Sequence, residues 1–139
     1  MHKIIDGKAV AAELLGTVAV DTAALTAAGW QQKLVAIVVG DSAPVALYVR
    51  NQRRAANRCG IDFEERTFAG DCSIDEILAA ITAMNADPRV TGIIVQRPLP
   101  QHLSIRRLQS AVHPLKDVEG MHPASIGDIV YNDVRLGPC

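Results

Sequence analysis

Two short runs rich in β-branched residues, Leu34–Val39 (LVAIVV) and Val90–Val95 (VTGIIV), restrict this chain more than anything else in it. A strand with one wet face alternates polar and apolar residues, whereas runs like these are covered on both faces. Burial on both faces is the habit of parallel sheets, whose strands are joined by helical crossovers. The intervening segments supply the helices. From about Lys8 to Ala28, Val10, Leu14, Leu15, Val18 and Leu25 keep close to a helical period, with Asp6-Gly7 as the start and Gly29 as the stop. A second helix follows the Gly40-Asp41 turn and closes at Gly60, and Ile61–Phe68 reads as another strand. Ser73 with Glu76 three residues on is a capping-box pattern, followed by Ile77, Leu78, Ile81 and Met84 at helical spacing and the stop Asn85-Ala86-Asp87-Pro88. Beyond Val95 the pattern loosens: a helix over 102–112, a loop over 114–120 and a short helix over 123–130 are predicted. The fold class is therefore α/β, a three-layer αβα arrangement with a small, mostly parallel sheet built from consecutive βαβ units.

The 139 residues suit a single domain, 1–139, and no repeat or linker divides them. A net charge of −1 gives no reason to expect nucleic acid or an anionic membrane as partner. The opening MHKIIDGKAV lacks the apolar core of a signal peptide, and no apolar run approaches the ~18 residues of a membrane span. Cys59, Cys72 and Cys139 are odd in number and widely spaced, arguing for neither a disulfide framework nor zinc, and the scattered histidines imply no metal site. A cytoplasmic protein is expected.

In open parallel sheets, ligands sit outside the carboxyl ends of the strands. Here those ends are Gly40-Asp41 and Gln96-Arg97. At about 100° per residue, the second helix puts Tyr48, Gln52, Ala55 and Cys59 in one stripe and Arg50, Arg53, Arg54 and Arg58 on the far side. A tyrosine and an amide among small residues are unusual things to bury, although a core helix whose polar tips find partners would explain them. Past Gln96 the Pro98-Leu99-Pro100 segment cannot continue a sheet, so the chain must turn and present Gln96 at the same rim.

Four separated stretches, IIDGKAVA, VGDSAPVALYVRNQRRAANRCGI, TGIIVQRPLP and HPLKDVEGMHP, together resemble the N-terminal catalytic domain of methylenetetrahydrofolate dehydrogenase/methenyltetrahydrofolate cyclohydrolase. The resemblance covers nearly the whole chain, and the closing Leu136-Gly137-Pro138-Cys139 looks like the Pro-Cys that ends this domain. It implies a tetrahydrofolate derivative, 5,10-methylene- or methenyltetrahydrofolate, as the small-molecule ligand. Tyr48 matches a tyrosine whose ring lies on the folate, and Gln96 a glutamine at the one-carbon centre. Two matching positions depart. Gln52 stands where the family has lysine, and Glu119 where it has the second aspartate of Lys-Asp-Val-Asp-Gly, which meets the pterin nitrogens. Ala43-Pro44-Val45-Ala46 replaces a more polar segment, and Arg97 an apolar residue. The expected catalytic set is Tyr48, Gln52, Gln96 and Glu119. Pro98, Leu99, Asp117 and His122 join Tyr48, Gln96 and Glu119 as expected substrate contacts.

An amide cannot exchange a proton near neutral pH, so Gln52 predicts weak or absent cyclohydrolase activity unless Glu119 or His122 substitutes. The ten glycines contain no GxGxxG, and no NAD(P) site is expected in these residues. The first reading is a complete, diverged enzyme that passes the one-carbon unit to a second, acceptor substrate without redox, or hydrolyses it in a modified way. The alternative is the N-terminal fragment of a two-domain methylenetetrahydrofolate dehydrogenase with weak or lost cyclohydrolase activity. A third reading is a non-catalytic folate- or partner-binding module that uses the arginine face, which is otherwise an ordinary solvated helix side. A flank normally covered by a second domain predicts self-association as a homodimer.

Overall fold

The structure, a computed structural model, describes residues 4–138; Cys139 of the closing Pro-Cys lies outside them. The elements run α1 (Gly7–Ala27), β1 (Lys33–Val39), α2 (Ala43–Arg58), β2 (Asp62–Phe68), α3 (Ile74–Ala86), β3 (Gly92–Val95), α4 (Ile105–Ala111), a 3-10 turn (Pro114–Lys116) and α5 (Pro123–Val130). The three strands lie in the order β2-β1-β3, both pairs parallel. The central strand β1 is the more continuous of the two apolar runs, as burial on both faces requires.

Side-chain alternation along β1 divides the core. Val35, Ile37 and Val39 face one way and join Ile93 and Val95 against Ile77, Ile81 and Met84 of α3 and Leu108 of α4. Val38 faces the other way, with Val45 and Val49 of α2 and the ring of Phe63. Helices thus cover both faces of the sheet. The capping box of α3 forms as its sequence predicts: Ser73 Oγ accepts from the Glu76 amide, and Glu76 Oε2 accepts from the Ser73 amide at 2.8 Å. The helix predicted over 102–112 is shorter, because Ser104 caps it by accepting from the Arg107 amide.

The first helix behaves differently from its pattern. The period predicts a packed stripe at Val10, Leu14, Leu15, Val18 and Leu25; Leu15 does turn inward, but the other four face outward, with Leu14 61% exposed. The stripe that packs is offset: Leu15 and Ala19 are half-buried, Thr22 is buried, and the Cys59 thiol donates to the Leu15 carbonyl at 3.5 Å. Periodicity locates an apolar stripe but does not say which side a short-chained helix turns inward. A second correction concerns membranes. No continuous run in the sequence is long enough to span one, but α1 is long and apolar enough by length and composition, with a mean hydropathy of 1.4. Valines, leucines and alanines together carry that average across Glu13 and Asp21, which break up any continuous run.

The 116–120 turn seals one edge of the sheet. Asp117 forms a parallel bridge with Ile93 on the free side of β3. Val118 crosses over Gly92, where a Cβ would lie 2.6 Å from Val118 Cγ1, so a side chain at that position would push Val118 aside. Lys116 Nζ donates to the carbonyls of Met84, Asn85 and Asp87 at 2.9, 2.8 and 2.8 Å, fastening the turn to the end of α3. A cation there also meets the negative end of the helix dipole.

Candidate functional site

At the carboxyl ends of β1 and β3 lies a cavity of about 460 Å³, lined by Pro44, Val45, Tyr48, Val95, Gln96, Arg97, Pro98 and Glu119. Each wall follows from local structure. Ser42-Ala43-Pro44 starts α2, with Pro44 in its first turn where a missing amide costs nothing. Val45 and Val49 anchor the helix on the sheet and leave Tyr48, a turn away, at the mouth. Tyr48 is 60% exposed, so its ring is an open surface and not a core side chain with a hidden hydroxyl.

Gln96 is 5% exposed, and its amide donates to the Ile37 carbonyl at 2.9 Å, extending the β3 ladder by one bond. Its Nε2 donates to Gln52 Oε1 at 2.7 Å, linking the two amides across α2 and β3. The Arg97–Pro98 peptide is cis. Glu119 closes the far side from the 116–120 turn. Burial pushes its carboxyl above the ordinary range and Asp117 adds to the rise, while the Arg97 guanidinium pulls part of it back.

Tyr48, Gln96, Pro98 and Glu119 therefore meet in one cavity, with Gln52 joined to it through Gln96. Three of the expected contacts do other work. Leu99 turns away and packs against the main core. Asp117 is buried; its Oδ2 accepts from the His122 amide at 2.6 Å and from Ser125 Oγ at 3.1 Å, holding the start of α5. His122 caps that helix, its Nδ1 accepting from the Ala124 amide at 3.0 Å. A turn sequence shows that acceptors are present but not whose donors they meet. Pro44, Val45, Val95 and Arg97 complete the wall; Arg97 carried a signal as a charge in an apolar position and Pro44-Val45 as part of an unusually apolar segment, whereas Val95 carried none. Among the described residues no cluster suited to a metal ion occurs. Asp117→Ala would strand two donors in the interior and is expected to cost about 2–4 kcal/mol, measured by denaturant unfolding; an unchanged midpoint would show that the carboxylate is not the tie described.

Residues 5–119 match the tetrahydrofolate dehydrogenase/cyclohydrolase catalytic domain. The chain belongs to this family. It is 56% identical over 137 residues to the bifunctional protein FolD 2 of Mesorhizobium japonicum, covering 99% of this chain and 45% of that one. Its fold superposes on the bifunctional FolD methylenetetrahydrofolate dehydrogenase/cyclohydrolase of Campylobacter jejuni with a TM-score of 0.92 at 32% identity, over 96% of this chain and 48% of that one. The Trypanosoma brucei FolD, solved with NADP cofactor and inhibitor, superposes with a TM-score of 0.85 at 26% identity, over 91% and 43%. The chain thus spans less than half the length of these relatives. Gln52, Glu119, Arg97 and the Pro44-Val45 pair, the departures noted in the sequence, all lie in or beside this cleft.

Proposed function

We propose that the cleft binds 5,10-methylene- and 5,10-methenyltetrahydrofolate and serves as the folate-holding half of a methylenetetrahydrofolate dehydrogenase whose cyclohydrolase step is weak or lost. The observation that carries this reading is the convergence of Tyr48, Gln96 and Glu119 on one cavity, with Gln52 bonded to Gln96. In this pose the Tyr48 ring supplies a flat face for the folate. Gln96 lies at the one-carbon bridge. Glu119 accepts from the amine and ring N–H of the pterin, its extra methylene relative to aspartate moving the acceptors inward. Oxidation removes a hydride from the methylene bridge and leaves a cationic methenyl bridge. A nicotinamide would supply the hydride acceptor, but these residues do not fit one. The turn after β1 holds a single glycine beside the acidic Asp41, a poor cradle for a pyrophosphate.

Transfer of the one-carbon unit to an acceptor without redox is the less supported reading, because the relatives are named as dehydrogenase/cyclohydrolases and match along less than half their length. The outward stripe of α1 supports self-association; light scattering that finds a strict monomer at high concentration would remove that part.

Equilibrium titration with either folate tests the site. Tyr48→Ala is expected to weaken binding by about 10–100-fold, the loss of one stacked aromatic face. No binding to the unaltered protein at high micromolar concentration would end the reading. The pH profile is a second check. A pterin bound through an ionised Glu119 binds with constant affinity above that residue's raised pKa and loses about tenfold per pH unit below it. Glu119→Gln should flatten that fall; a profile unchanged by the substitution would take Glu119 out of the contact.

A further inference from the structure

The two amides at the back of the cleft are joined in a fixed sense. Gln96 Nε2 donates to Gln52 Oε1 at 2.7 Å, so one amide hydrogen of Gln96 is spent away from the ligand. Gln96 is buried and its backbone amide donates to the Ile37 carbonyl, so the side chain starts from a fixed point at the end of β3. Its Oε1 takes no hydrogen bond from the described residues and is not sealed from the cavity. The deep wall therefore offers an amide oxygen, with no ammonium at position 52 to oppose it. Glu119 lines the same cavity, and the buried Asp117 carboxylate stands behind it. The one cation on the wall, Arg97, is exposed at the rim, where its charge offsets part of that of Glu119.

A carbonyl dipole and carboxylates around a site from which an ammonium is missing favour positive charge there. We propose that the Gln52–Gln96 pair makes this cleft selective for the cationic state of the one-carbon bridge, holding the amidinium of 5,10-methenyltetrahydrofolate in preference to folates whose one-carbon unit is neutral. The proposal rests on the folate reading above and adds a charge preference to it. A lysine at position 52 would put like charge beside that bridge and would turn Gln96 Oε1 towards its own ammonium.

Calorimetric titration of the 139-residue chain with 5,10-methenyltetrahydrofolate and with 5-formyltetrahydrofolate, in one mildly acidic buffer, tests this. The two ligands share pterin, benzoyl and glutamate parts and differ in charge at the bridge. The unaltered protein is expected to bind the methenyl compound at least about tenfold more tightly. Gln52→Lys should lose about tenfold for the methenyl compound and less than about twofold for the formyl one. Gln52→Met, uncharged but unable to hold Gln96, should fall between and decides the matter should the lysine variant not fold. Equal affinities for both ligands in the unaltered protein, or equal weakening of both by either variant, would overturn the charge preference while leaving the folate site intact. Binding of neither ligand would overturn the folate reading itself.

Discussion

Replacing Gln52 with lysine is expected to raise the turnover of 5,10-methenyltetrahydrofolate hydrolysis by about 10²–10⁴-fold. Opening the bridge needs water at the cationic carbon and a proton at the departing nitrogen. An amide can orient that water but has no proton to lend near neutral pH, whereas a lysine with a lowered pKa does. Position 52 already reaches Gln96, and a lysine side chain spans a similar length from the same turn of α2. The measurement is loss of the methenyl absorbance at saturating ligand, with kcat separated from KM. Because the added charge repels the bound cation, KM should rise even as kcat rises, a split that a general improvement in folding would not produce. A variant that binds folate normally and gains no turnover would mean that residue 52 does not face the reacting carbon.

The second large effect is on stability. Gly120→Ala is expected to cost roughly 3 kcal/mol or more, the sum of a strained backbone and a steric conflict. Gly120 sits at φ +66, and a Cβ there would lie 2.4 Å from the Gly137 carbonyl carbon and 2.5 Å from the Pro138 nitrogen. The Leu136-Gly137-Pro138 segment runs directly against the turn that carries Glu119, so neither backbone can yield without moving the cleft wall. Denaturant unfolding gives the loss, and Gly127→Ala in α5, where nothing lies within 4 Å of the new methyl, is the matched control. Equal stability of the two variants would show that the terminal segment is not held against the turn.

Much of the fold was legible because its signals are local. Apolar runs marked β1 and β3, Ser73 with Glu76 marked the start of α3, and His122-Pro123 opened α5 at the predicted residue. The open-sheet rule placed Tyr48 and Gln96 at one rim without reference to any relative. What stayed hidden depends on partners distant in sequence. Lys116 looks like a surface charge until α3 is seen to end beneath it. Asp117 and Glu119 look alike in sequence, two carboxylates two residues apart. Burial assigns one to hold a helix and leaves the other facing the cavity. Leu99 between its prolines has the character of a pocket residue, and only packing shows that it belongs to the core. The Gln52–Gln96 bond lay between those extremes, since helical and strand geometry put both residues at the rim but not in contact.

The bridge between Asp117 and Ile93 has a consequence outside catalysis. By pairing with β3 at Ile93, the 116–120 turn also covers part of a strand edge that would otherwise be open to a strand from another molecule. Damage that peels the turn away should therefore appear first as poor solubility and precipitation during expression, before any kinetic defect can be measured.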